Sequence, residues 1–274
     1  MAELAPRRLI LTLYGLYARE EHNWMSVGSV VRLMGDLGVD SAGVRSSISR
    51  LKRRGVLEAM RSGKAAGYAL SDSALEVLRE GDTRIFDRRP VRGSDGFVLV
   101  VFSIPESERE KRHTLRTTLS GLGFGTAAPG VWVAPGHLQD EVGRTLERRG
   151  LATYVDLFTA HHEGFSALRD QVARWWDLEG INAQYADFLD RFADAQSRWE
   201  RSGDRSRTAF EIYVPMLTVW RRLPYLDPGL PPDLLPAGWN GGRAADLFGD
   251  LDGLLRTPAR EHALAAIHAW PAAP

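Results

Sequence analysis

The 274-residue chain contains no cysteine. That absence excludes disulfides, thiolate metal sites and cysteine nucleophiles, and it is compatible with a reducing cytoplasm. Net charge is missing too. Lys plus Arg and Asp plus Glu number 35 each, so the chain as a whole does not advertise a polyanionic partner. No apolar run approaches the roughly 20 residues of a membrane span, and the N-terminus lacks the apolar core and cleavage site of a signal peptide. Neither a Gly-x-Ser-x-Gly elbow nor a glycine-rich phosphate loop occurs. The expectation is a cytoplasmic, soluble protein without membrane contact, to which no catalytic residue, metal site or cofactor is assigned. Its hydrophobic content of 44% is ordinary for a globular chain long enough for two or three cores.

Within this neutral whole, one stretch is lopsided. From Ser41 to Lys64 the basic residues are Arg45, Arg50, Lys52, Arg53, Arg54, Arg61 and Lys64, and the only acid is Glu58. Val44, Ile48 and Leu51 recur at helical spacing and form an inward face. Opposite them fall Ser46, Ser49, Arg50 and Arg53, with Arg45 on the flank, the short hydroxyls and long guanidinium groups of a helix laid in a major groove. Asp40 or Ser41 caps the start and Gly55 ends the helix. Upstream, Ser26 caps a helix carrying Val27, Val30, Val31 and Met34, and Gly35 to Gly38 supply the turn. Downstream, Val56–Met60 and Tyr68–Leu70 read as strands around a glycine-bounded wing. The expected DNA-contacting residues are Ser41, Arg45, Ser46, Ser49, Arg50, Arg53, Arg61 and Lys64. The expected partner is double-stranded operator DNA.

Pro6 opens a helix with Leu9, Ile10 and Leu13, read as packing behind this motif. Ser73 and Glu76 form a capping box for a helix stopped at Gly81. The charged segment Asp82 to Asp95, which holds Arg84, Arg88, Arg89 and Arg92, marks the first boundary. Phe97–Phe102 is a buried strand. A helix with Leu115, Leu119 and Leu122, two strands near Gly123–Ala127 and Val131–Val133, a helix with Leu138, Val142 and Leu146, and a strand Tyr154–Phe158 complete a β-α-β-β-α-β order. Beyond it the pattern is helical and rich in tryptophan. One helix holds Phe165, Leu168, Val172, Trp175 and Trp176, and a second runs from Ile181 to Trp199. A third, from Phe210 to Trp220, is kinked or divided at Pro215. The proline-rich stretch Leu226–Gly241 is irregular, and two last helices fit Ala244–Leu255 and Pro258–Ala269. The fold class is α+β multidomain: a winged helix-turn-helix over residues 1–88, a ferredoxin-like domain over 94–162 and an all-α domain over 163–274.

Three passages in order carry a resemblance. They are Val44 to Gly55; Val101-Phe102-Ser103-Ile104-Pro105 with Gly123-Phe124-Gly125 and Pro129 to Pro135; and Asp227-Pro228, Leu230-Pro231, Leu234-Leu235-Pro236 and Trp239. In combination they resemble the PaaX family of bacterial repressors of phenylacetate catabolism. The resemblance implies a homodimeric winged-helix repressor on a palindromic operator, and a middle domain shaped like the CRISPR-associated ferredoxin-like nucleases. It also implies a helical C-terminal domain and release by an aromatic acyl-CoA such as phenylacetyl-CoA. A thioester of that kind needs an apolar slot and basic partners for its phosphates. On that ground Tyr213, Arg221, Arg222 and Trp239 form one candidate effector set, and Arg174 with Trp176 another. Two alternatives stand beside this reading. A winged-helix module that binds protein would bind in a salt-insensitive way. A metal-dependent nuclease would need a carboxylate at the end of the first middle strand, where the sequence has Phe102-Ser103-Ile104-Pro105.

Overall fold

Proline at the first helical position and a stripe of Leu9, Ile10 and Leu13 make Pro6–Leu16 the first helix, α1, of the computed structural model. The structure describes residues 4–63, 65–86, 96–164 and 166–269. Lys64, Phe165 and residues 87–95, which include Arg88, Arg89, Arg92 and most of the expected boundary segment, lie outside them, while its first residues, Asp82–Phe86, are helical. The chain is mixed α/β and mostly helical, with two small antiparallel sheets and a helical C-terminal region. Among the described residues no helix is long and apolar enough to cross a membrane.

After α1 come β1 (Trp24–Ser26), α2 (Val27–Asp36), α3 (Ser41–Arg53), β2 (Leu57–Ser62), β3 (Ala65–Leu70) and α4 (Asp72–Phe86). The sheet order is β1-β3-β2. β1 is absent from the sequence reading because three residues give no periodicity to detect. It follows His22 and Asn23, both at positive φ, and pairs Met25 with Tyr68. The β2–β3 hairpin is longer than expected, since Ser62 and Ala65 to Gly67 continue the ladder rather than forming a loop. Gly67 is required there by close approach. A Cβ would stand 2.5 Å from the Trp24 ring and closer still to the Met25 carbonyl oxygen. Gly67→Ala is expected to cost about 1–3 kcal/mol through overpacking, read as a lowered denaturation midpoint. An unchanged midpoint would contradict the packing described. The fourth helix does not stop at Gly81. It runs on to Phe86, where Ile85 accepts a hydrogen bond from Trp220 and Phe86 packs on Phe248.

The second sheet contains β4 (Phe97–Phe102), β5 (Gly125–Ala128), β6 (Val131–Pro135) and β7 (Val155–Ala160), with α5 (Arg109–Gly121) and α6 (Gln139–Arg148) between them. Its order is β5-β6-β4-β7, all antiparallel. Val98, Val100, Trp132 and Ala134 form one core with Leu115, Leu119, Val142 and Leu146, so both helices cover the same face. At Gly125 the sheet meets Trp176, whose Nε1 donates to the Gly123 carbonyl at 2.8 Å.

The remaining helices are α7 (Leu168–Trp175), α8 (Leu178–Phe192), α9 (Ala195–Glu200), α10 (Arg205–Trp220), α11 (Leu223–Leu226) and α12 (Gly241–His268). Three expectations need correction. Trp176 lies past the end of α7 in extended backbone, and Trp199 sits on its own short helix. One helix, α12, spans the region expected to hold two, and α10 continues through Pro215 without being divided there. A proline inside a helix costs about 3 kcal/mol locally. In α12 the buried stripe Ala244, Phe248, Leu251, Leu255, Ala259, Ala263 and Ala266 continues across Pro258, and this packing outweighs the lost bond.

By compactness the chain falls into two units. The first comprises Met1–Phe86, Phe188–Arg221 and Arg243–Pro274; the second comprises Asp87–Asp187 and Arg222–Gly242. In the first, α1 packs on both α3 and α10, and Thr12 and Thr218 share a buried hydrogen bond of 2.8 Å. Asp36, at the end of α2, is held by His262 at 2.9 Å and by Arg207 at 3.2 Å.

Candidate nucleic-acid interface

The local sequence determines how α3 is held. Asp40 accepts from the Gly43 N–H at 2.9 Å, which caps the first turn. At the far end Gly55 has φ +67°, Gly55 N–H bonds Lys52 O, and Val56 N–H bonds Leu51 O, which closes the last carbonyls. Ser71 Oγ adds a 2.6 Å bond to Gly55 O. Val44, Ser47, Ile48 and Leu51 are buried; Ser47 joins the inward face that the sequence assigned to the three apolar residues.

Ser41, Arg45, Ser46, Ser49, Arg50 and Arg53 are all exposed on α3, and Arg61 is exposed on β2. Arg50 donates to Ser46 Oγ at 3.2 Å, an i to i−4 contact along the outer face. Among the described residues no carboxylate pairs with Arg45, Arg50 or Arg53. Acids elsewhere in the same unit are paired with other cations: Glu20 with Arg260, Glu21 with His268, and Asp36 with His262 and Arg207. The outer face of α3 is therefore a positive, hydroxyl-bearing surface that no internal anion neutralises.

Sequence reasoning missed two basic residues here. Arg7 of α1 and Arg54, the residue that ends α3, line a cleft of about 310 Å³ together with Arg50, Arg53 and Leu51. The signal was present in the Pro6-Arg7-Arg8 start of α1, but that helix was read for its apolar stripe alone.

The candidate effector residues are divided. Tyr213 and Arg221 belong to the first unit, and Arg174, Trp176, Arg222 and Trp239 to the second. Tyr213 is fully buried and donates to Asp252 at 2.6 Å; burial first, then that bond, hold its phenol well above the ordinary range, so it stays a donor. Arg221 donates to the Arg8 carbonyl at 3.3 Å. Trp176 is buried on Gly123, whereas Trp239 is half-buried and edge-on to Tyr185 at 5.8 Å. Arg174 and Arg222 are exposed. His162 packs edge-on to Trp175 at 6.0 Å.

Three family models match in order along the chain: PaaX-like protein over residues 5–74, PaaX protein central Cas2-like domain over 93–172, and PaaX-like protein C-terminal domain over 176–265. The transcriptional repressor PaaX of Escherichia coli strain K12 is 30% identical over 244 residues, covering 87% of this chain and 77% of the relative. The chain belongs to the PaaX family. Among solved structures it resembles the uncharacterized protein Rv0674 from Mycobacterium tuberculosis, with TM-score 0.54 and 25% identity, covering 91% of this chain and 99% of that one. The N-terminal PaaX match takes in α1, α3 and the β2–β3 hairpin, and so holds Arg7 and Arg54 as well as the residues expected from sequence.

Proposed function

We infer that the protein is a transcriptional repressor of phenylacetate catabolism whose α3 reads operator bases. The observation that carries this reading is the outer face of α3, exposed and without acidic partners, in a chain of the PaaX family. In this reading α1 to β3 act as a winged helix-turn-helix, with α2 and α3 as its two helices and β2–β3 as the wing. The β5-β6-β4-β7 sheet is read as ferredoxin-like and non-catalytic. One recognition helix covers only a few base pairs, so a homodimer on a palindromic operator supplies the second half-site. The protein acts in the cytoplasm.

The effector in this reading is phenylacetyl-CoA or a related aromatic thioester. It must bind the DNA-free form more tightly than the DNA-bound form, because equal affinity shifts nothing. The link from the C-terminal helices to the reading helix runs through Asp36, which precedes the turn into α3 and is gripped by α10 and α12 through Arg207 and His262. Movement of either helix pulls on that turn. The test is a titration of acyl-CoA esters into a complex of protein with DNA from upstream of the regulated genes. Release by an aromatic thioester and not by the free acid is expected. Absence of release by any ester at millimolar concentration would remove the sensing half of the reading.

A further inference from the structure

The cleft between α1 and α3 holds more positive charge than base reading requires. Arg50, Arg53 and Arg54 stand at i, i+3 and i+4 on one flank of α3, and the packing of α1 on α3 brings Arg7 to the same cleft from a different helix. Leu51, itself nearly buried, makes the floor. Among the described residues none of these four arginines pairs with a carboxylate, and Asp40, the acid nearest in sequence to α3, is turned onto its own helix as the cap. Four guanidinium groups converging without an internal anion leave the cleft electrostatically incomplete. Each planar fork offers parallel N–H donors spaced for two oxygens of one phosphate.

We propose that Arg7 and Arg54, in the cleft they share with Arg50 and Arg53, bind a phosphodiester of the operator backbone beside the bases that Arg50 and Arg53 read. The proposal rests on the DNA-binding reading above and extends it from the groove to the strand beside it. A duplex seated with its major groove on the outer face of α3 brings a backbone to the flank of the helix, where Arg50 and Arg53 meet Arg7 and Arg54. A coenzyme A thioester shares the phosphate chemistry, but the lining is arginine and leucine only, with no ring to stack an adenine or an aromatic acyl group. Arg7 and Arg54 therefore position the protein on DNA and carry no base preference of their own.

Salt titrations of duplex binding test this with the full chain. Arg7→Ala and Arg54→Ala should each weaken binding to operator and to scrambled duplex by the same factor, roughly tenfold for one charge-assisted contact. Each should also lower the slope of log Kobs against log salt by about 1. Arg7→Lys, which keeps the charge, should keep most of the slope that Arg7→Ala loses, a dependence on charge that a purely structural role for Arg7 would not give. An unchanged slope in both alanine variants, with Arg50→Ala still losing operator affinity, would overturn the phosphate site and leave the reading helix standing. Failure of the wild-type protein to bind any duplex would overturn both. Unchanged DNA binding with loss of the acyl-CoA response in Arg7→Ala would assign the cleft to a small anion and overturn the proposal.

Discussion

Trp220→Ala is expected to cost about 3–5 kcal/mol of folding stability, the range for removing a large aromatic side chain from a packed core. The indole is 2% exposed at the end of α10 and stacks on Phe248 with centroids 4.5 Å apart and planes 11° from parallel. Phe188 lies against it at 5.3 Å. Its Nε1 donates to the Ile85 carbonyl at 3.1 Å, which ties the last turn of α4 to α10. The variant therefore loses dispersion on both faces and leaves a carbonyl without its donor, a further cost of about 1–3 kcal/mol if no water enters. For a chain of this size a loss of that order lowers Tm by roughly 6–20 °C. Trp220→Phe keeps the stack and loses the hydrogen bond, so its effect should be the smaller of the two. Thermal denaturation followed by circular dichroism separates them, and equal midpoints for wild type and Trp220→Ala would refute this account of the core.

The second large effect is on DNA. Arg50→Ala and Arg53→Ala should each cost about 1–3 kcal/mol of specific operator binding, the worth of a good bidentate contact to a base. Both side chains are exposed on α3 and neither belongs to the buried face of Val44, Ser47, Ile48 and Leu51, so the variants should melt as wild type does. The two residues share one cleft, so their effects are coupled and the double variant need not equal the sum. Operator affinity at fixed salt is the readout. Unchanged affinity in both single variants would remove these residues from the reading face.

Helix α3 was legible in the sequence because its signals are local and agree. Asp40, the stripe of Val44, Ile48 and Leu51, and Gly55 each act within a turn or two of where they stand, and the structure uses each in that way. The middle strands were legible for the same reason, since Phe97–Phe102 is apolar throughout and bounded by Gly96 and Pro105. What was not legible depends on partners distant in the chain. Pro258 is a helix breaker by its own chemistry, and only the stripe running from Ala244 to Ala266 overrides it. Gly81 looked like a stop until Trp220 and Phe248 arrived from more than a hundred residues away. Arg7 shows the same limit at the site. Its charge was plain, but only the packing of α1 on α3 makes it a neighbour of Arg50 and Arg54. Trp176, named with Arg174 as an effector candidate, is buried with its N–H bound to the Gly123 carbonyl, a partner distant in the chain that the sequence does not show.

The central claim is that the outer face of α3 recognises a specific DNA sequence. Fluorescence anisotropy of the wild-type protein, with a labelled duplex carrying the proposed operator and with a scrambled duplex of equal length, tests it most directly across a series of salt concentrations. The account predicts operator binding at least about a thousandfold tighter than binding to the scrambled duplex at physiological salt. It also predicts affinity for both duplexes falling steeply and linearly in log salt. Equal affinity for the two duplexes, or a flat salt dependence, would contradict it.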